Sequence, residues 1–321
     1  MGADHWILSI DGGGTKTDLL LCNAERLTGA QTTGEGTNPN IYGKKGIESL
    51  VRQVTDILNR VNSSSEDIHE CIIGMAGISH RKYRNDLENC MSLTLPNSSL
   101  RFTSDAELAH RSIWGSHPGM TLIVGTGSIA LGTNNEGRVL RSGGFGYQMG
   151  DEGSGYWLGK VLLTELIAAE RSTFEDVIEL IEKVTEQCGQ ATFENALTVL
   201  SSSENSISRV ANLAPVVLSF AENGNLLASK IVSQGVEALG VLIEELSEKL
   251  GFNGGQKKIG ISGSVISKSD FYRGLIKDQL LYQFDSVEWQ QSDFPPVYGA
   301  LMLAKKRILP TDFSRMVIQH V

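Results

Sequence analysis

Two glycine turns, each set between β-prone apolar runs, constrain this chain more than any other feature. The first is Asp11-Gly12-Gly13-Gly14-Thr15-Lys16-Thr17, flanked by Trp6–Ile10 and Asp18–Cys22; the second is Gly125-Thr126-Gly127-Ser128, between Met120–Val124 and Ile129–Thr133. Short apolar runs bounded in this way read as strand, turn, strand. Glycine makes up 35 of the 321 residues, well above the ~7% of ordinary chains, so permissive backbone is needed in several places. A polyphosphate needs converging N–H donors, and only residues without Cβ bring the main chain that close. Thr15 adds a hydroxyl and Lys16 a charge. Asp11, ending the first strand, supplies a carboxylate suited to Mg²⁺, usually held through water.

The rest of the chain alternates. A short third strand is expected near Gln31–Thr33, and Ile47, Leu50, Val51, Val54, Ile57, Leu58 and Val61 recur at helical spacing. Cys71–Met75 reads as a buried strand, Arg81–Met91 as a helix, Ser99–Ser104 as a strand and Asp105–Trp114 as a helix. After Gly115-Ser116-His117-Pro118-Gly119 the opening pattern returns, with Val139–Ser142 as its third strand. Two halves that start alike suggest a repeat. Gly153 to about Glu222 reads as helices, and Leu226–Leu250 as a long helix with Leu227, Ile231, Leu239, Leu242, Ile243, Leu246 and Leu250 on one face, stopped by Gly251. Lys258–Ser262 is a strand leading into Gly263-Ser264, and Val297–Arg307 is expected as a final helix entered from Pro295-Pro296.

Length and charge narrow the function. At roughly 150 residues per domain the chain holds about two domains. Lys+Arg of 28 against Asp+Glu of 37 leaves a net charge of −9, which disfavours nucleic acid or an anionic membrane as partner. No apolar run approaches the ~18 residues that span a bilayer, and the N-terminus lacks a basic, apolar leader, so a cytoplasmic protein is expected. Cys22, Cys71, Cys90 and Cys188 have no C-x-x-C spacing, which argues against zinc or an iron–sulfur cluster and for reduced thiols. Two other nucleotide signatures fit poorly. Gly159-Lys160 continues with Val161 and lacks the first glycine of a P-loop. Gly125 to Ala130 has the G-x-G-x-x-A form, but strand and turn follow it where a dinucleotide site needs a helix.

Five motifs follow one another in order: Ile10 to Thr17, Thr103-Ser104-Asp105-Ala106, Gly125 to Ser128, Gly143-Gly144-Phe145-Gly146 with Met149 to Trp157, and Gly263-Ser264-Val265. Together they resemble the N-acetylglucosamine kinase branch of the BadF/BadG/BcrA/BcrD ATPase family. The resemblance runs from Ile10 to about Ala304. It implies an α/β fold of the actin-like, hexokinase type: two ribonuclease-H-like domains, residues 1–117 with a C-terminal helix about 297–321, and residues 118–296 with a helical insertion, around a central nucleotide cleft. The activity it implies is ATP- and Mg²⁺-dependent phosphorylation of an amino sugar. A homodimer is what the family suggests. The other readings are an ATPase that activates a partner enzyme, as the family's dehydratase activators do, and a sugar sensor without catalysis.

Carried over by position, the resemblance assigns Gly13, Gly14, Thr15 and Lys16 to the β- and γ-phosphates, Thr126 and Gly127 to a second phosphate turn, Gly263 and Ser264 to the adenosine, and Asp11 to Mg²⁺. Asp105, on its own a helix cap, becomes the general base and a sugar contact. Asn38, otherwise an ordinary turn asparagine, and Asp151, otherwise a helix cap, become sugar ligands with Gly144, Phe145 and Gly146; Phe145 is alternatively a core residue. One position departs from the pattern. After the G-T-G-S turn the acetylglucosamine kinases carry a polar side chain, and this chain has Ile129, which leaves glucosamine, muramic-type and other hexoses open.

Overall fold

The computed structural model describes residues 4–78, 81–169, 174–202, 206–252 and 254–321. The chain divides into two compact units, one made of Met1–His117 and Ser292–Val321, the other of Pro118–Gln291.

The first unit opens with three strands, β1 (Trp6–Gly12), β2 (Lys16–Asn23) and β3 (Thr28–Glu35), followed by the short α1 (Pro39–Tyr42), α2 (Lys44–Arg60), β4 (Ile68–Met75), α3 (Arg81–Thr94), β5 (Ser99–Thr103) and α4 (Asp105–Trp114). The first two strands are longer than the apolar runs alone, so only residues 13–15 form the turn between them. Strands β1 to β3 are an antiparallel meander, and β4 and β5 add in parallel beside β1. One face carries Leu8, Ile10, Leu19 and Leu21 against Leu50, Val54 and Ile57 of α2. The period-2 alternation sends Ile7, Leu20 and Cys22 to the other face.

The second unit repeats this plan. Strands β6 (Gly119–Val124), β7 (Ser128–Thr133) and β8 (Val139–Gly143) precede five helices, α5 (Gly155–Ala168), α6 (Glu175–Gln187), α7 (Phe193–Ser201), α8 (Ser206–Ala211) and α9 (Ala214–Glu222). Then come α10 (Leu226–Lys249), β9 (Lys257–Ser262), α11 (Ser264–Lys268), α12 (Asp270–Gln283) and β10 (Val287–Gln290). The sheet order is β10-β9-β6-β7-β8, the counterpart of β5-β4-β1-β2-β3 in the first unit. The repeat read from the two glycine turns is therefore present as matching strand order and direction.

One helix bears on the membrane expectation, and one expected element is corrected. Helix α10 is long and apolar enough to cross a membrane by length and composition alone, although no unbroken apolar run marks it. Ile231, Leu239, Ile243 and Leu246 enter the unit's core, while Glu237, Glu244, Glu245 and Glu248 face outward. The expected final helix over Val297–Arg307 is instead a 3-10 helix at Pro296–Met302, an irregular stretch, α13 (Pro310–Phe313) and a strand, β11 (Val317–His320), parallel to β3.

Backbone contact explains the tight coil at Pro296–Met302. The 3-10 turn packs against α4 so closely that a Cβ on Gly299 would lie 2.0 Å from the Leu108 carbonyl oxygen and 2.8 Å from the Ser112 nitrogen. A longer helix there would carry side chains into the same gap. Gly299→Ala is expected to lower the melting temperature by at least several degrees, since overpacking costs about 1–3 kcal/mol; thermal unfolding followed by circular dichroism checks this.

Candidate active site

In the first unit the glycine turn is tied down by its own carbonyls. Gly13 O accepts from Thr37 N and Asn38 N at 3.1 and 3.2 Å, and Gly13 N donates to Lys16 O at 3.0 Å. The Tyr42 hydroxyl donates to Gly14 O at 2.6 Å. A Cβ on Gly36 would sit 2.4 Å from Gly14 O, and one on Gly13 would sit 2.7 Å from Lys16 O. The loop after β3 thus presses main chain against main chain, which fixes the peptide planes of the turn and leaves Thr15 and Lys16 exposed.

Strand register brings Asp11 directly opposite Asp18. Asp18 is buried, accepts from the Thr33 hydroxyl at 2.6 Å, and pairs with Lys16 Nζ at 2.6 Å. The Lys16 ammonium pairs with Asp18 in this structure, while its side chain stays 63% exposed. Sequence reasoning missed Asp18. Its signal was a carboxylate inside the run Asp18–Cys22, two residues from Lys16 and so on the same strand face.

Asp11 and Asp105 come together at one edge of this unit. Burial, then the charges of Asp105 and Asp18, push the Asp11 carboxyl up to about 7, and Lys16 opposes them only in part. Asp105 is the first residue of α4, not its cap. That role belongs to Ser104, whose hydroxyl accepts from Glu107 N at 3.1 Å. Burial also raises the Asp105 carboxyl, against the N–H groups of Ala106 and of Asp105 itself, which favour its charged form. Asn38 is the N-cap of α1: its carbonyl accepts from Asn40 N at 2.9 Å and its amide donates to Ala76 O at 3.3 Å.

The second unit holds the other turn in the same fashion. Gly125 O accepts from Gly155 N at 2.9 Å and Thr126 O from Tyr156 N at 3.1 Å, so the start of α5 anchors the turn. Gly263, with φ of 101° and room for no Cβ beside Val124 O, brings Ser264 against Gly125; a Cβ on Gly125 would lie 3.7 Å from Ser264 N. Asp151 does not cap α5, which is capped by Ser154. Its carboxylate accepts the N–H groups of Ser128 and Gly146, and burial raises its pKa in spite of them. Phe145 is 69% exposed, not a core residue, and lies under the Arg141 guanidinium at 5.8 Å. Ile129 packs on Gly144, where a Cβ would meet its Cδ1 at 2.6 Å.

Two repeats of one sheet, each with a tethered glycine turn between its first two strands, define an actin-like ATPase fold. The sequence profile of the BadF/BadG/BcrA/BcrD ATPase family matches residues 8–304, and the chain belongs to that family. It is 24% identical over 302 residues to the N-acetylmuramic acid/N-acetylglucosamine kinase of Clostridium acetobutylicum, covering 94% of this chain and 98% of that one. It is 27% identical over 315 residues to the N-acetyl-D-glucosamine kinase of Dictyostelium discoideum, covering 92% and 97%. A crystal structure from Chromobacterium violaceum assigned as an N-acetylglucosamine kinase superposes with a TM-score of 0.72 at 20% identity, covering 94% of this chain and 100% of that one.

The carboxylates dictate a pH signature. The folded protein holds the Asp11 proton up to about pH 7, the unfolded chain only to 3.8, so the stability this proton contributes is lost as pH rises between those values. In metal- and nucleotide-free buffer Asp11→Asn is expected to melt several degrees above wild type at pH 8. That gap should shrink as the pH is lowered toward 4, as calorimetry across the range checks.

Proposed function

We propose that this chain is an ATP-dependent kinase of an amino sugar, of the N-acetylglucosamine or glucosamine type, with Asp105 as general base. What supports this reading most is the pair Asp105 and Asp11. One carboxylate stands at a helix start, made more basic by burial, beside a second whose charge lacks a full counter-charge. A base needs a free carboxylate of raised pKa within reach of a hydroxyl. The names of the two relatives, aligned over nearly their whole length, support the sugar class.

In this mechanism the Asp105 carboxylate takes the proton of a sugar hydroxyl while the hydroxyl oxygen bonds to the γ-phosphorus of ATP and the bond from that phosphorus to the ADP oxygen breaks. Phosphoryl transfer depends mainly on positioning and charge neutralisation. Gly14 and Thr15 present backbone donors and Thr15 a hydroxyl to phosphate oxygens, while Gly13, whose own N–H is bonded to Lys16 O, lets the chain approach them; Thr126 and Gly127 form the corresponding phosphate turn of the second unit. Gly263 and Ser264 border the adenosine. Asp11, a carboxylate whose charge lacks a full counter-charge here, would fit Mg²⁺ held through water, and that ion would offset phosphate charge. Asn38 offers its remaining amide hydrogen to a sugar hydroxyl. Gly144 and Gly146 let the loop approach the ring, and the exposed Phe145 supplies an apolar face. Asp151 keeps lone pairs on its carboxylate for a hydroxyl. Ile129 contributes no polar contact, so an N-acetyl group would be recognised elsewhere or not at all.

The test is coupled ADP release from ATP across a panel of hexoses and amino sugars. At least one amino sugar is expected to raise ADP release well above the sugar-free rate; if none does, the kinase reading fails. With that sugar, Asp105→Asn is expected to lower kcat by about 10²–10⁴ while the KM for ATP stays within about twofold. A normal rate in that variant would place the base elsewhere.

A further inference from the structure

Asp151 combines a backbone that costs energy with a side chain bonded to two other segments. Its φ is 64°, in the left-handed region, where a residue with a Cβ is disfavoured. Aspartate tolerates that region better than most because its short side chain bonds locally. Here the bonds reach two different segments. The carboxylate accepts Ser128 N–H, at the first residue of β7, and Gly146 N–H, in the glycine loop after β8. It lies so near the turn that a Cβ on Gly127 would be 2.7 Å from Oδ2. The Asp151 segment is itself braced: Ser154 N donates to Asp151 O at 3.1 Å, Ser128 Oγ to Glu152 O at 2.8 Å, and the buried Tyr272 hydroxyl to Gly153 O at 2.8 Å.

We propose that Asp151 is a positioning residue that staples the Gly125–Gly127 turn to the Gly143–Gly150 loop, setting the phosphate contacts and the sugar contacts of the second unit in one register. The loop needs such a tie. Gly143, Gly144 and Gly146 all have positive φ, and Phe145 and Met149 are largely exposed, so beside the strand pairing at Gly143, the packing of Ile129 on Gly144 and the Tyr147–Tyr156 ring contact, the Asp151 carboxylate is the polar tie between loop and turn. A charge-assisted bond to a backbone N–H is about twice as strong as a neutral one, and one carboxylate supplies two of them. The assignment of the loop to sugar and the turn to phosphate rests on the kinase reading; the staple itself does not.

Two variants and two readouts test this. Asp151→Gly removes the carboxylate and suits φ of 64°, so it should fold; Asp151→Asn keeps the shape but loses the charge. In the ligand-free protein, residue-resolved hydrogen exchange is expected to speed up about tenfold or more at Ser128 and Gly146 in both variants. The helical amides of Leu158 and Ala169, bonded within and at the end of α5, should be unchanged. In the kinase assay the KM for ATP and the KM for sugar should both rise about fivefold or more. Unchanged exchange at Ser128 and Gly146 would overturn the staple, as would equal loss of protection at Leu158 and Ala169. A rise in the sugar KM alone would make Asp151 a plain sugar ligand. If no sugar is phosphorylated, the exchange result still decides the staple.

Discussion

The structure depends on main chain packed against main chain at the two glycine turns. In the first unit Gly36 lies against Gly14 and the carbonyls of Gly13 and Gly14 are occupied by donors from the segment after β3. In the second, the start of α5 occupies the carbonyls of Gly125 and Thr126. A Cβ at Gly13 or Gly36 would push these surfaces apart. The arrangement costs backbone entropy at every glycine, and in return it gives two turns held largely by main-chain contacts.

Electrostatic tension is the second consequence of the fold. Cross-strand register sets Asp11 opposite Asp18, and the turn from β5 into α4 adds Asp105 nearby. Opposed like charges destabilise a sheet, and Lys16 pairs with Asp18 while offsetting the Asp11 side only in part. The unit therefore stores an unmet demand for positive charge beside its candidate base.

Asp151 shows the complementary strategy. Its carboxylate is partly satisfied by amides of two separate segments, and the residue accepts a strained backbone to do it. A loop made of Gly143, Gly144 and Gly146 can approach a ligand closely, but it needs an anchor with fixed geometry to do so reproducibly.

Much of the fold was legible in the sequence. The alternation of apolar runs with glycine turns located the strands of both meanders, and helical spacing located α2 and α10, because these patterns arise from local geometry with periods of 2 and 3.6 residues. Asp11, Asp105 and Asp151 stood out as candidates through their motifs. Their company did not. Asp18 stands opposite Asp11 only by strand register, the exposed Lys16 pairs with Asp18, and Asp151 meets Ser128 and Gly146 across a gap in sequence that no local pattern encodes. The 3-10 turn at Pro296–Met302 and strand β11 were decided the same way, by the closeness of Gly299 to α4 and the open edge of β3. Local propensity sets which elements form; charge pairing, register and close backbone contact exist only once distant segments pack.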